Sequence, residues 1–238
     1  MTTKAAAEAP ALAAAAETIL PDVIRMRRHL HRHPEQGLQL SQTQAFVAAE
    51  LERLGVVPTL GRSVGSVTAV IEGFAPGRTI ILRADMDALP LHEETGLDFA
   101  SEHDGVMHAC GHDTHTAMLL GAARLLAARS DHFRGRIVLM FQPGEEGYHG
   151  ARFMLEEGLL DEVGDLTGCA AFALHITTQA VTGTVNLRPG PLLASSDRIR
   201  ITVHGRGGHA SAPHQALDPI AVAAEIVLAL QVMVTRRV

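Results

Sequence analysis

Apolar and polar residues recur along the first two thirds of the chain with spacings that predict helices alternating with short strands. The clearest helix covers residues 41–54, where apolar residues form a stripe three and four residues apart. Ser41 with Gln44 three residues later predicts a capping box at its start, and Gly55 marks its end. Further helices are predicted over 19–33, 114–128 and 151–157, and strands over 67–71, 79–82, 136–141 and 170–174. This alternation predicts an α/β sheet covered by helices, in which the first two strands form a hairpin or lie side by side.

The pattern changes after residues 189–191, which read Pro-Gly-Pro. Residues 199–203 alternate between apolar and polar side chains, which predicts a half-exposed strand. Asp218 as the N-cap and Pro219 as the first helical residue then predict a long apolar helix over 220–234. One strand and one helix are too few to bury their own apolar faces, so this region is expected to be incomplete. The predicted segments are an alanine-rich N-terminal extension (1–18), a first domain (19–190) and the start of a second domain (191–238).

Composition narrows the class of protein. The 238 residues are 47% hydrophobic and carry a net charge of −6, which favours a globular chain and disfavours disorder and nucleic-acid binding. Two cysteines, Cys110 and Cys169, are too few for a disulfide framework, and free thiols fit a reducing cytoplasm. No uncharged apolar run reaches the roughly 18 residues needed to cross a membrane, so no membrane partner is expected. The 14 histidines direct attention to imidazole chemistry.

The densest polar cluster lies between residues 103 and 116, next to an apolar helix. Within it, Cys110 and His112 flank a glycine in a turn, so a thiol and an imidazole can converge on one cation. Metal binding is therefore the first interpretation. The alternative is an ordinary helix N-terminus, where Asp113 and Thr114 cap the helix and the histidines are polar surface groups.

Carboxylates follow two of the predicted strands. Asp85 and Asp87 come after the strand at 79–82 and share one face of an extended chain, from which a carboxylate can accept the ring N–H of a ligand histidine. Glu145 and Glu146 follow a later strand and point in opposite directions if extended, so one can bind a metal while the other transfers a proton. The alternatives are aspartates that cap loop amides and glutamates that are simply solvated.

A histidine ends a further apolar strand. His175 comes directly after residues 170–174 and is a candidate metal ligand, although a lone histidine is more often held by an ordinary hydrogen bond. Together with the carboxylates and the Cys110–His112 turn, it is expected at the C-terminal edge of the sheet, where α/β proteins place their sites. A metal beside a free carboxylate is what amide hydrolysis requires, because the ion lowers the pKa of a water molecule and the carboxylate accepts its proton.

These motifs together resemble the M20 metallopeptidase family, and within it the amidohydrolase branch that contains hippurate hydrolases, N-acyl-amino-acid amidohydrolases and auxin-conjugate hydrolases. The similarity runs from about His29 to the end, and five motifs in one order are far more specific than any one of them. The resemblance implies an α/β fold: a catalytic domain with a mixed sheet flanked by helices, and an α+β domain that serves as a lid and dimerises. The motifs are HxHPE (31–35), RADMDALP (83–90), MHACGHDTHTAMLLGAA (107–123), FQPGEEG (141–147) and GRGGHAS (205–211).

The resemblance also implies a pair of divalent metal ions. A thiolate ligand favours zinc because both are soft, and members of this branch are also known with manganese. Glu145 would act as the general base, and Asp87 as a carboxylate that orients a ligand. In related branches a histidine ligand occupies the position of Asp85, so the role of this aspartate is left open. The implied metal ligands are Cys110, as a bridging thiolate, His112, Glu146 and His175.

The second domain contributes one further candidate. His209 follows the glycine-rich segment 205–208, and the local pattern predicts only a tight turn. In the family, this histidine belongs to the lid domain and reaches the active site of the partner subunit, where it stabilises the oxyanion of the tetrahedral intermediate. The resemblance therefore implies a catalytic role for His209 and a homodimer that forms through the lid domain.

The expected function is metal-dependent hydrolysis of the amide bond in an N-acyl amino acid or a related small conjugate, in the cytoplasm. The alternative within the family is a dipeptidase or carboxypeptidase. Residues 176–179 replace a proline-containing segment of the family, so its substrate contacts are not carried over there. The sequence also ends inside a helix-like run, before the family's last histidine ligand. The chain by itself is therefore expected to bind metal weakly, or to be a metal-binding module without catalysis.

Overall fold

A five-stranded sheet with helices on both faces forms the first of two units, residues 1–186, and the second unit covers residues 187–238. The computed structural model describes residues 3–164, 166–193 and 199–237. The strands are β1 (Pro58–Leu60), β2 (Val67–Glu72), β3 (Thr79–Asp85), β4 (Arg136–Gln142) and β5 (Ala170–Ala173). The α-helices are α1 (Thr3–Arg32), α2 (Ser41–Arg53), α3 (His112–Ala127), α4 (Gly150–Glu156), α5 (Leu159–Val163) and α6 (Pro219–Arg237).

The sheet is mixed, with strand order β1-β2-β4-β3-β5. β4 and β5 both run parallel to β3, whereas β2 runs antiparallel to its two neighbours, β1 and β4. This arrangement confirms the expected α/β fold with a mixed sheet flanked by helices. Because the three parallel strands end at the same edge, the segments that follow Asp85, Gln142 and Ala173 are brought together there.

The core is built around β4, whose side chains are buried on both faces of the sheet. Ile137, Leu139 and Phe141 pack with residues of α1, α2 and α3, whereas Val138 and Met140 pack with residues of α4 and α5. Side chains alternate between the two faces along a strand, so this unbroken apolar run serves both layers of helices.

The predicted pairing of the first two long strands is wrong. β4 lies between β2 and β3 and pairs with both, with Phe141 opposite Val67 on one side and Gln142 opposite Asp85 on the other. A strand that is apolar on both faces is stabilised most at the centre of a sheet, so β4 separates two strands that are neighbours in sequence. β1 and α5 are too short for the pattern to predict, and α1 begins at Thr3 rather than near residue 19.

The capping box predicted at the start of α2 is also wrong. Ser41 is already the first helical residue, and the residue before it makes no side-chain cap. Instead, the Glu35 carboxylate accepts the backbone N–H groups of Gln42 and Thr43, at 3.2 and 2.8 Å, while Gln44 donates its side-chain amide to a loop carbonyl. The first turn of a helix has free N–H groups and a partial positive charge, and a carboxylate satisfies both. Glu35, from the HxHPE motif, therefore caps α2.

Glu35→Ala is expected to lower the free energy of unfolding by about 1 kcal/mol, the usual cost of losing a helix cap. The matched control is Glu52→Ala, which removes an exposed carboxylate from the same helix and should change that free energy much less. Urea denaturation followed by circular dichroism measures both. Equal effects of the two substitutions would contradict the capping role.

The second unit contains one long helix, α6, and the residues described in it, 187–193 and 199–237, form no strand. The strand predicted over 199–203 is therefore wrong: alternation alone does not make a strand without a hydrogen-bonded neighbour, and the described residues provide none for this segment. The predicted start of α6 is confirmed. Pro219 is its first residue, and Asp218 Oδ1 accepts the backbone N–H of Ile220 at 2.9 Å.

By length and composition alone, α6 is apolar enough to cross a membrane: Pro219–Arg236 has 18 residues and a mean hydropathy of 1.6. The sequence prediction counted only uncharged apolar runs, and Glu225 and Arg236 interrupt this one, so it did not identify the helix as long enough. Core helices of soluble proteins pass the same criteria, so this is only a weak indication of a membrane span. Apolar side chains of this helix, including Leu228 and Val232, are exposed.

Candidate metal centre and active site

The candidate site lies at the edge of the sheet where β3, β4 and β5 end. Asp85 is the last residue of β3, the Glu145–Glu146 loop follows β4, and His175 follows β5. Between β3 and β4, α3 begins at His112, directly after the turn that contains Cys110. The parallel strands thus bring together residues that are far apart in the sequence.

The four residues implied as metal ligands are close together. One ligand atom from each of Cys110, His112 and Glu146 lies within 4.8 Å of the other two. His175 Nε2 is 3.7 Å from Cys110 Sγ, and His112 Nε2 is 4.0 Å from Glu146 Oε1. His112 is buried, Cys110 and Glu146 are half-buried, and His175 is exposed. One side of the cluster is therefore accessible to a small molecule.

The chemistry of these side chains fits a divalent cation. Burial, together with the hydrogen bond and negative charge of Glu146, raises the pKa of the Cys110 thiol to about 12. A cation at this position would offset the carboxylate charges and favour the thiolate, which is the form that binds metals. Thiolate, imidazole and carboxylate are also the three types of side chain that bind zinc in proteins.

Gly111 sets the geometry of the Cys110 turn. Its φ of +82° lies in the left-handed region, which glycine adopts without strain, and it directly precedes α3. A Cβ atom at this position would lie 2.5 Å from Ile176 Cγ2, in the residue next to His175. The turn that carries two candidate ligands therefore packs against the segment that carries a third.

Gly111→Ala is expected to weaken metal binding as well as folding, because the new methyl group must displace Ile176 and, with it, His175. The matched control is Gly96→Ala: Gly96 also has a positive φ, of +66°, but nothing lies within 4 Å of a Cβ atom there. Both substitutions carry a backbone cost of about 1–2 kcal/mol. Titration with Zn²⁺ should show a loss of affinity for Gly111→Ala alone. Equal affinities would mean that the turn does not need this close approach.

Asp87 connects the loop after β4 to the segment after β3. Its two carboxylate oxygens accept the backbone N–H groups of Glu145 and Glu146, at 2.9 and 3.0 Å. The same carboxylate lies 3.4 Å from His112 Nδ1, which is longer than an ordinary hydrogen bond. Asp87 is only 1% exposed, so water does not compete for these contacts. Asp87 therefore holds the loop amides, and its orienting role toward His112, a candidate ligand, stays a prediction.

Asp85 is surrounded by imidazole and guanidinium groups. Its oxygens lie 2.6 Å from His115 Nδ1, 2.8 Å from the Arg83 guanidinium and 3.5 Å from His112 Nε2. Burial alone would raise the pKa of Asp85, but the hydrogen bond from His115 and the charges of His112 and Arg83 outweigh it and lower the pKa to about 2. Asp85, His112 and His115 also form a second group of atoms close enough to hold a metal ion.

Glu145 and His209, the two residues expected to act on the substrate, lie in different units. Glu145 is exposed and follows the end of β4, with its backbone N–H held by Asp87. His209 Nδ1 contacts the Ser211 hydroxyl at 2.9 Å and its backbone N–H at 3.2 Å. These local contacts are typical of a tight turn, and the catalytic role of His209 stays a prediction.

A buried network supports the start of α3, and its one member named in the sequence analysis, Asp113, contacts side chains of α1 instead of capping α3. Asp113 Oδ2 lies 2.8 Å from His31 Nδ1 and 2.7 Å from Arg27 Nε, and His31 Nε2 contacts Glu93 at 3.2 Å. Burial would lower the pKa of His31, but the hydrogen bonds to Asp113 and Glu93 outweigh it and raise the pKa. The sequence signals for this network were the HxHPE motif, which contains His31, and the 107–123 motif, which contains Asp113.

Two relatives of known activity match most of this chain. It is 44% identical over 223 residues to an N-acetyl-L-cysteine deacetylase of Bacillus subtilis, covering 93% of this chain and 52% of the relative. It is 45% identical over 221 residues to a thermostable carboxypeptidase of Saccharolobus solfataricus, covering 91% of this chain and 54% of the relative. The chain therefore spans about half the length of these relatives.

A solved structure and a family model agree with these matches. The crystal structure of a dinuclear metal-binding peptidase of the M20 family from Bacillus subtilis is similar, with a TM-score of 0.68 and 40% identity over 74% of this chain and 48% of that one. The model of peptidase family M20/M25/M40 matches residues 81–236, which include the Cys110 turn, the two glutamates and His175. On this match, which extends over more than half of its length, the chain belongs to peptidase family M20/M25/M40.

Proposed function

We propose that the protein hydrolyses the amide bond of N-acyl amino acids or similar small conjugates. The observation that carries this proposal is the cluster of a thiol, two imidazoles and a carboxylate beside the exposed Glu145. The Bacillus subtilis relative that removes an acetyl group from N-acetyl-L-cysteine supports the choice of substrate class.

The proposed site holds two divalent metal ions through four side chains of this chain. When bound, the metals would polarise the substrate carbonyl and lower the pKa of the attacking water. The soft thiol favours zinc over manganese, which metal analysis distinguishes. The proposed ligands are Cys110, His112, Glu146 and His175.

We propose that Glu145 carries out the proton transfers. Its carboxylate accepts a proton from the attacking water and delivers it to the departing amine nitrogen. Asp87 accepts the backbone N–H groups of Glu145 and Glu146, so the backbone that carries the base and the neighbouring ligand is held in place. We propose that His209 of one subunit donates a hydrogen bond to the oxyanion that forms on the substrate in the active site of the partner subunit.

A peptidase is the second candidate, because a relative of nearly the same identity is a carboxypeptidase. A peptidase and an N-acyl-amino-acid hydrolase cleave the same type of bond but differ in the group on its carbonyl side: an amino-acid residue in one case, a simple acyl group in the other. A third possibility is that the 238-residue chain binds metal without catalysis. The first two candidates differ in the substrate that they cleave, and the third differs from both because the metal-loaded chain would cleave neither substrate.

The experimental test measures both the substrate preference and the metal dependence of hydrolysis. The whole protein is stripped with a chelator, reloaded with Zn²⁺ or Mn²⁺, and assayed on N-acetyl amino acids and on dipeptides with the same C-terminal residue. We expect metal-dependent release of the amino acid, faster from the N-acetyl compounds. Faster cleavage of the dipeptides would favour the peptidase. Absence of bound metal in both the whole protein and the 238-residue chain would remove the proposal.

We propose a cytoplasmic homodimer that forms through the second unit. The exposed apolar side chains of α6, such as Leu228 and Val232, support an interface there rather than a surface in water. The two free cysteines are consistent with a reducing compartment. Analytical ultracentrifugation of the whole protein tests the oligomeric state, and a monomer at micromolar concentration would contradict it.

A further inference from the structure

His115 connects two parts of the candidate site, and none of the roles proposed above uses it. It lies in the first turn of α3 and is only 3% exposed. Its Nδ1 atom is 2.6 Å from Asp85 Oδ1. Its Nε2 atom is 2.9 Å from the backbone N of Ile176 and 3.2 Å from His175 Nδ1. The ring thus lies between a buried carboxylate and a candidate ligand.

The backbone contact fixes the proton positions in this chain of groups. The N–H of Ile176 can only donate, so His115 Nε2 must be an acceptor and carries no proton. The proton of the neutral ring is then on Nδ1, from which it is donated to Asp85. In the longer contact between the two histidines, His175 Nδ1 is then the donor, and the single lone pair of His115 Nε2 is shared between this N–H and that of Ile176.

These proton positions determine which nitrogen of His175 can bind a metal. With its proton on Nδ1, the neutral His175 ring has its free lone pair on Nε2, the atom that lies 3.7 Å from Cys110 Sγ. A ligand histidine normally donates its second ring N–H to a carboxylate, a backbone carbonyl or water, which fixes its orientation. Here the acceptor is another imidazole, which is held in turn by a buried aspartate.

We propose that His115 is a positioning residue that fixes the tautomer and orientation of His175 for metal binding, with Asp85 fixing His115 in turn. This inference rests on the proposed function, because it takes His175 to be a metal ligand. It also assigns Asp85 a role that the sequence left open. The competing assignment is that His115 is itself a ligand, together with Asp85 and His112.

Two substitutions test the contacts of the two His115 ring nitrogens one at a time. In His115→Asn, the side-chain amide reaches the position of Nδ1, so it keeps the contact with Asp85 and loses those with His175 and Ile176. In His115→Gln, the amide oxygen reaches the position of Nε2, so it keeps an acceptor for His175 and Ile176 and loses Asp85. Both side chains are polar and smaller than the ring, which makes each the control for the other.

Zn²⁺ titration of the chelator-stripped 238-residue chain is the first measurement. Loss of a hydrogen-bond partner behind a ligand typically costs about 10- to 100-fold in metal affinity, so we expect this loss for His115→Asn and a clearly smaller one for His115→Gln. Equal affinities of wild type and His115→Asn would overturn the proposal. Loss of one equivalent of bound Zn²⁺ in both variants would show that His115 is a ligand instead.

A second measurement does not require either variant to fold. Long-range ¹H–¹⁵N correlation spectra of the wild-type chain report the tautomer of each histidine, and we expect His115 and His175 both to carry the proton on Nδ1. A proton on Nε2 of His175 in the metal-free chain would overturn the proposal. If the wild-type chain and the whole protein bind no Zn²⁺, the proposed function fails and the inference with it. If they bind Zn²⁺ and the tautomers differ from those expected, only the inference fails.

Discussion

Glu145→Gln is expected to slow amide hydrolysis by the whole protein by about 10²- to 10⁴-fold, the range that one positioned proton-transfer group contributes. The substitution keeps the size and shape of the side chain but removes the carboxylate that accepts a proton from water. Its backbone N–H, which Asp87 holds, is unchanged, so the loop should keep its position. Metal content should therefore be that of the wild type.

The same substitution at the neighbouring Glu146 should have a different effect. Glu146→Gln removes a proposed ligand rather than the base, so it should reduce bound metal as well as the rate of hydrolysis. Glu52→Gln, on the exposed face of α2, should change neither. Steady-state assays and metal analysis on all three variants check the assignment. A Glu145→Gln protein that keeps both its metal and its rate would assign the base to another residue.

His112→Ala is expected to reduce Zn²⁺ affinity by more than the roughly 100-fold that a lost outer hydrogen bond can cost, because it removes a proposed ligand atom itself. The ring is 1% exposed and lies 3.5 Å from Asp85 and 3.4 Å from Asp87. Its removal leaves a cavity between two buried carboxylates, so the metal-free chain should also be less stable.

The matched control is His132→Ala, which removes a partly exposed histidine from the short 3-10 helix before β4. Zn²⁺ titration and thermal unfolding, each with and without chelator, measure the two effects separately. If His112→Ala lowers the melting temperature in chelator but binds Zn²⁺ as tightly as the wild type, the residue supports the fold and is not a ligand.

The location of the site could be predicted from the sequence because it depends on local features. Asp85, Glu145 and His175 each follow an apolar run, and runs of this kind end at one edge when their strands are parallel. The Cys110 turn was visible for the same reason, since its two donor residues flank a glycine. Local pattern and the chemistry of the residue types were enough.

The contacts that orient these groups could not be predicted in the same way. Glu35 caps α2 from outside the helix, whereas the local pattern predicted Ser41 as the cap. The place of β4 between β2 and β3 depends on which strand gains most from burial on both faces, a property of the whole sheet. His115 looks like any polar residue in the first turn of an apolar helix until His175 is placed beside it.

The Asp87 carboxylate also has a consequence for motion. Each of its two hydrogen bonds to the Glu145–Glu146 loop joins a charged acceptor to an amide, a type worth about 1.5–3 kcal/mol. The loop can open only if both break together, so its excursions should be rare even though Glu145 is exposed. The amide protons of these two glutamates should then exchange with solvent as slowly as those of a buried strand.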